Sequence, residues 1–141
     1  MEYRKFGDRY LVRMDPGEEI LTKTIELCER ENIPLGEFRA LGAADELELG
    51  VYDVSEQKYY ASVYRGAYEI TSLFGTISTK DGNVYLHAHL SASTHEGATI
   101  GGHLNRAVIS GTLEMVVEPM EGTVGRKVNG KTGLNDLDFD V

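Results

Sequence analysis

The sequence predicts an α+β domain built on a mostly antiparallel β-sheet with one main N-terminal helix. Three observations carry this expectation. A single helical pattern occurs near the N-terminus, strand patterns dominate after Pro34, and sixteen glycines supply the turns, bulges and close backbone approaches that long strands need.

Residues 3–14 alternate loosely, with Tyr10, Val12 and Met14 set against Leu11 and Arg13, and read as a first strand. Asp15-Pro16-Gly17-Glu18-Glu19 reads as a helix start. Asp15 can cap, Pro16 suits the first helical position, and two glutamates favour the positive end of the helix dipole. Ile20, Leu21, Thr24, Ile25 and Cys28 form one apolar stripe, and the helix ends near Glu31, before Asn32 and Pro34. Gly36–Ala44 and Glu46–Val54 follow as two strands around a break at Asp45. Lys58–Arg65 and Tyr68–Thr79 are the next strands. Lys80-Asp81-Gly82 is a hairpin turn leading to a strand over residues 83–91, and Ala107–Glu118 is the last strand. Residues 122–141 are rich in Gly and Asp and weakly patterned.

At 141 residues the chain is expected to form one domain, residues 1–141, with a real core. No apolar run approaches the roughly 20 residues of a membrane span, and the first residues lack the apolar stretch of a signal peptide, so the cytoplasm is the expected location and no membrane partner is expected. The single Cys28 rules out an internal disulfide and a multi-cysteine zinc site, and its place on the apolar stripe predicts a packed thiol. Net charge is −9, and the densest basic group, Arg126-Lys127 with Lys131, is short and interrupted, so direct nucleic-acid binding is disfavoured.

The chemistry concentrates between residues 84 and 104. With Val84–Ser91 as a strand, His87 and His89 share one face with Tyr85 and Ser91, while Val84, Leu86, Ala88 and Leu90 form the apolar face. The imidazoles therefore point away from the core. A third, His103, follows Gly101-Gly102, read as a turn that delivers it to the other two. Three imidazoles meeting at one point suit a divalent ion, with zinc the expected metal, and leave a coordination position open. His95 reads as a loop-tip residue. Glu69 and Glu114 are the strand-borne carboxylates available as an acid or base, and Glu69 with Arg39 and Tyr85 are candidates for a supporting shell or a subunit contact. Arg39 and Arg106 are each read as an anion contact, a partner of Glu69, or a surface or interface salt bridge. Tyr59, Tyr60, Tyr64, Tyr68 and Tyr85 suit either sheet packing or an interface. The chain has no Gly-X-Gly-X-X-Gly phosphate loop and no Gly-X-Ser-X-Gly nucleophile elbow.

Five segments in order resemble the plant-and-prokaryote-conserved (PPC) domain family. They are Gly36-Glu-Phe38-Arg-Ala-Leu-Gly42-Ala43, Tyr68-Glu69-Ile70-Thr-Ser-Leu73-Phe-Gly75-Thr-Ile-Ser, Leu86-His-Ala-His-Leu90, Gly101-Gly-His-Leu104 and Thr132-Gly-Leu-Asn135-Asp-Leu137-Asp-Phe139. The resemblance implies an antiparallel α+β fold, a homotrimer, and, as in many prokaryotic members, a histidine cluster able to hold a divalent metal, carried here onto His87, His89 and His103. In plants the domain is fused to AT-hooks, short basic arms built on Arg-Gly-Arg that enter the DNA minor groove. This chain has no Arg-Gly-Arg. The leading expectation is thus a trimeric, metal-binding, stand-alone PPC-type protein with a regulatory role. Its rivals are a DNA-associated protein, a metal-dependent enzyme on a small substrate, and a trimer whose metal is structural. The enzyme reading is not favoured, because a metal site does not by itself make an enzyme and catalysis also needs a placed acid or base and a pocket.

Overall fold

A computed structural model describes residues 1–140. The chain runs β1 (Glu2–Phe6), β2 (Arg9–Met14), α1 (Ile20–Glu31), β3 (Gly36–Asp53), β4 (Lys58–Lys80), β5 (Asn83–Ser93), β6 (Thr99–Pro119), β7 (Gly125–Val128) and β8 (Asn135–Asp138). The main sheet has the order β1-β2-β6-β3-β4-β5, all antiparallel. The N-terminal part of β6 also pairs with β5, so β6, β3, β4 and β5 close on themselves at one end. β7 and β8 form a separate hairpin.

The α+β architecture with one helix matches the sequence expectation, but the strands differ in length and number. The first strand is a tight hairpin, β1–β2. The expected pairs of strands on either side of Asp45 and across residues 66–67 are each one long strand. At Asp45 the register with both neighbours shifts between Ala44 and Glu46, so the extra residue is absorbed as a bulge and does not end the strand. The hairpin at Asp81-Gly82 forms as expected, with positive φ at both residues (52° and 79°), the geometry of a tight two-residue turn.

The helix starts later than the Asp15-Pro16 signal suggested. Gly17 donates its N–H to the Ile109 carbonyl at 2.8 Å and Ile109 donates to the Glu18 carbonyl at 3.0 Å, so this segment spends its backbone hydrogen bonds on β6. Glu19 then caps the helix, its carboxylate accepting from the N–H groups of Leu21 (3.1 Å) and Thr22 (2.8 Å). Asn32 ends it in the left-handed conformation.

The helix buries Ile20, Thr24, Leu27 and Cys28 against the inner face of the sheet. That face supplies Val12, Phe38, Leu73, Ile77, Leu90, Leu113 and Met115, all with almost no exposure. Leu27, which the expected stripe did not include, is buried, whereas Leu21 and Ile25, which it did include, are half-buried. Cys28 is a packed thiol, and burial pushes its pKa up to about 12. It is expected to resist alkylation by iodoacetamide at pH 8 in the folded protein and to react once denaturant is added, because the thiolate is the nucleophile. Modification of the folded chain at the unfolded rate would show that the helix does not seal it. The opposite, outer face of the sheet carries the histidines, together with exposed Leu11, Leu41 and Phe74.

Candidate metal centre

Strand alternation places Ala88, Leu90 and Ala92 of β5 in the core and therefore turns His87 and His89 outward. His103 arrives from β6. It is the direct cross-strand partner of His89, and His87 lies two residues along the same face. The ring centroids of the three are 5.1, 5.2 and 5.6 Å apart. One nitrogen from each ring lies within 4.8 Å of the others.

The route by which His103 arrives differs from expectation. Gly101-Gly102 is not a turn but part of β6. A β-carbon on Gly102 would stand 2.7 Å from the Gly50 carbonyl oxygen, and one on Gly101 would stand 3.0 Å from the Leu90 carbonyl oxygen. The missing side chains thus let β6 press against β3 and β5 at once, which is what seats His103 opposite His89.

The donor set fits a divalent ion. Bonds of about 2.0–2.1 Å in a tetrahedral arrangement need nitrogens about 3.3 Å apart, a contraction within reach of imidazole rotation about χ1 and χ2. None of the three rings makes a hydrogen bond to protein among the described residues, so their lone pairs are free to ligate. Burial, then the neighbouring His103, His89 and Arg126, holds the pKa of His87 below its ordinary 6.5. Burial, then His89, does the same for His103. Both shifts favour the neutral form, which is the form that binds metal. Three ligands leave one coordination position for water or an added ligand.

Around the cluster, Tyr59 of β4 sets its ring edge-on to His103 at 6.0 Å and donates from its hydroxyl to Asn105 Oδ1 at 2.9 Å. Tyr85, on the same face as His87, accepts at its hydroxyl from Asn135 Nδ2 at 3.3 Å. Arg126 of β7 lies over the Tyr85 ring, its guanidinium carbon 5.0 Å from the centroid. Neither Tyr59 nor Arg126 was singled out for the site from sequence. Residues 122–141 show no periodic signal, and only the folding of β7–β8 onto β4 and β5 brings Arg126 to the histidines.

The other candidates stand apart. Arg39 shares the cross-strand row with Phe74 and His89 but pairs with Glu37 (3.3 Å) and Glu118 (3.8 Å), not with Glu69. Glu69 is exposed, in register with Ala43 and Ser93. Ser93 is four residues past His89, roughly 13 Å along an extended strand. Glu114 is exposed on β6 in register with Arg13. Arg106 pairs with Glu46 at 3.0 Å, which also holds Arg65 at 3.0 Å. His95 sits at an exposed turn beside Glu96, 2.9 Å away.

Fold and site define a class: an antiparallel α+β protein that presents three converging imidazoles on its outer sheet face. Residues 1–121 match the Plants and Prokaryotes Conserved (PCC) domain, and the chain belongs to that family. A search of curated proteins finds no match. Among solved structures, a candidate DNA-binding protein from Bacteroides thetaiotaomicron is 31% identical with a TM-score of 0.96, over 99% of this chain and 98% of its own. A metal-containing protein from Archaeoglobus fulgidus is 29% identical with a TM-score of 0.87, over 96% of this chain and 95% of its own. A plant- and prokaryote-conserved (PPC) protein from Pyrococcus horikoshii is 29% identical with a TM-score of 0.83, over 96% and 94% of the two chains.

Proposed function

We propose that this chain is a cytoplasmic PPC-type domain, residues 1–141, that assembles as a homotrimer and binds one divalent metal ion, zinc by preference, through His87, His89 and His103. The observation that carries the reading is the convergence of three otherwise unpartnered imidazole nitrogens within 4.8 Å of one another. The metal-containing relative from Archaeoglobus fulgidus supports it. The bound ion would polarise whatever occupies its open position. The chain's own contribution is to hold three imidazoles on closely paired strands, with Tyr59 set edge-on against His103. The trimer draws support from the exposed Leu11, Leu41 and Phe74 on the outer face, where Phe74 is the register partner of His89. A subunit contact there would cover apolar surface beside the site.

Direct DNA binding gains little from the residues. Lys127, in the densest basic group, is already paired with Asp138 (2.8 Å) and Asp140 (3.4 Å). No helix among the described residues is long and apolar enough to cross a membrane.

Elemental analysis after zinc loading and extensive dialysis at pH 7 tests the reading. One ion per chain is expected, against none if the histidines merely line the face. The pH dependence follows from the sign of the two shifts. Because the folded pKa values of His87 and His103 lie below 6.5, the unfolded chain takes up protons first as the pH falls. Metal-free stability therefore declines from pH 6.5 downward and levels off below the folded values. Because protons compete with the ion for the same nitrogens, bound metal is expected to fall as the pH is lowered, which a pH series of dialysed samples would check. Metal content independent of pH across the histidine range would contradict it.

A further inference from the structure

Arg126 belongs to the histidine neighbourhood but has no part in the metal binding proposed above. Its guanidinium is held by neutral acceptors only: Nε donates to Ser78 Oγ at 2.9 Å, Nη1 to the Asn135 carbonyl at 3.1 Å and Nη2 to Thr76 Oγ1 at 3.3 Å. Among the described residues no carboxylate lies within the 4.0 Å of an ion pair; Arg9, Arg13, Arg39, Arg65 and Arg106 each have one, and Arg4 and Arg30, which also lack one, are exposed to solvent. Three of its five N–H groups are engaged and two remain. The group is half-buried, which makes an unneutralised charge costly.

Its place says where an anion would sit. Thr76, which holds Nη2, is the register partner of His87, and side chains of directly paired residues are neighbours across a sheet. The guanidinium therefore flanks His87 on the outer face. We propose that Arg126 and the open coordination position of the metal together form a binding site for a small oxyanion, the carboxylate or phosphate group of a small molecule. One oxygen of the ligand takes the vacant metal position and another accepts from the free guanidinium N–H groups. The proposal rests on the metal-binding reading above.

The test uses the full chain loaded with cobalt(II), whose visible absorption reports ligands entering its coordination shell. It is titrated with sodium acetate and with inorganic phosphate at fixed ionic strength, as wild type, Arg126→Gln and Arg126→Lys. Metal content and thermal melting are measured on each. The expected result is saturable binding by the wild type and about tenfold weaker binding by Arg126→Gln at unchanged metal content, the size expected for one lost charged hydrogen bond. Arg126→Lys, which keeps the charge, falls between and shows that charge, not folding, is being read. Whichever of acetate and phosphate binds more tightly assigns the ligand group. Equal binding by wild type and Arg126→Gln, or no binding by fully loaded wild type, overturns the proposal and leaves the metal site standing. Failure of the wild type to take up cobalt overturns both.

Discussion

Replacing His87 and His103 together with alanine is expected to lower zinc affinity by well over about 100-fold, the upper range seen when even an outer-shell partner of a metal ligand is removed. The two residues supply two of three ligands, from two different strands, so no single remaining imidazole can hold the ion tightly. The fold should survive. Both side chains lie on the outer face, His87 exposed and His103 half-buried, and neither contributes to the core. Competition with a chromophoric chelator measures the affinity, and circular dichroism confirms the strand content. The single variants separate the contributions. His89→Ala and His103→Ala remove one partner each of the directly paired β5–β6 row, and each is expected to weaken binding more than Tyr59→Phe, which leaves every ligand in place. Wild-type affinity in the double variant would mean that the ion, if bound, sits elsewhere.

The largest expected stability effect lies far from the histidines. Gly42→Ala would place a β-carbon 2.3 Å from the Thr112 carbonyl oxygen and 2.8 Å from the Leu113 Cα. Both obstacles are backbone, so no rotamer change relieves the clash. Gly42 also sits between register shifts on β3, and Leu113 is fully buried beneath the helix layer. Separating β3 from β6 there opens the centre of the core. A loss of about 3 kcal/mol is expected, the upper part of the range for overpacking, read as a lower denaturation midpoint with an unchanged slope. Gly82→Ala makes a useful comparison, since nothing lies within 4 Å of that position and only its turn conformation (φ 79°) is strained. It is expected to cost less than Gly42→Ala. The reverse order would show that the β3–β6 approach is looser than described.

The parts of this architecture that were legible in the sequence are those set by local periodicity. The helix, the strand character of most of residues 36–91 and of 107–118, the Asp81-Gly82 turn and the outward pair His87 and His89 each follow from a few adjacent residues. Long-range pairing was harder to read. Gly101-Gly102 looks like a turn in isolation, and only the presence of β3 on one side and β5 on the other reveals why side chains are excluded there. Asp45 looks like a strand end, because a bulge and a break have the same local signature. Asp15-Pro16 looks like a helix start, because the competing hydrogen bonds come from Ile109, more than ninety residues away. Arg126 was invisible as a site residue for the same reason. Its neighbours Thr76, Ser78 and Tyr85 are remote in sequence, and only folding of the terminal hairpin brings them together.

Three imidazole nitrogens sharing one ion are the centre of the proposed site. Zinc K-edge X-ray absorption of the zinc-loaded chain reads this directly. Nitrogen and oxygen neighbours at about 2.0–2.1 Å are expected, with the multiple-scattering signature of three imidazoles, falling to two in His103→Ala. A shell containing sulfur, or an imidazole count unchanged by that substitution, would contradict it.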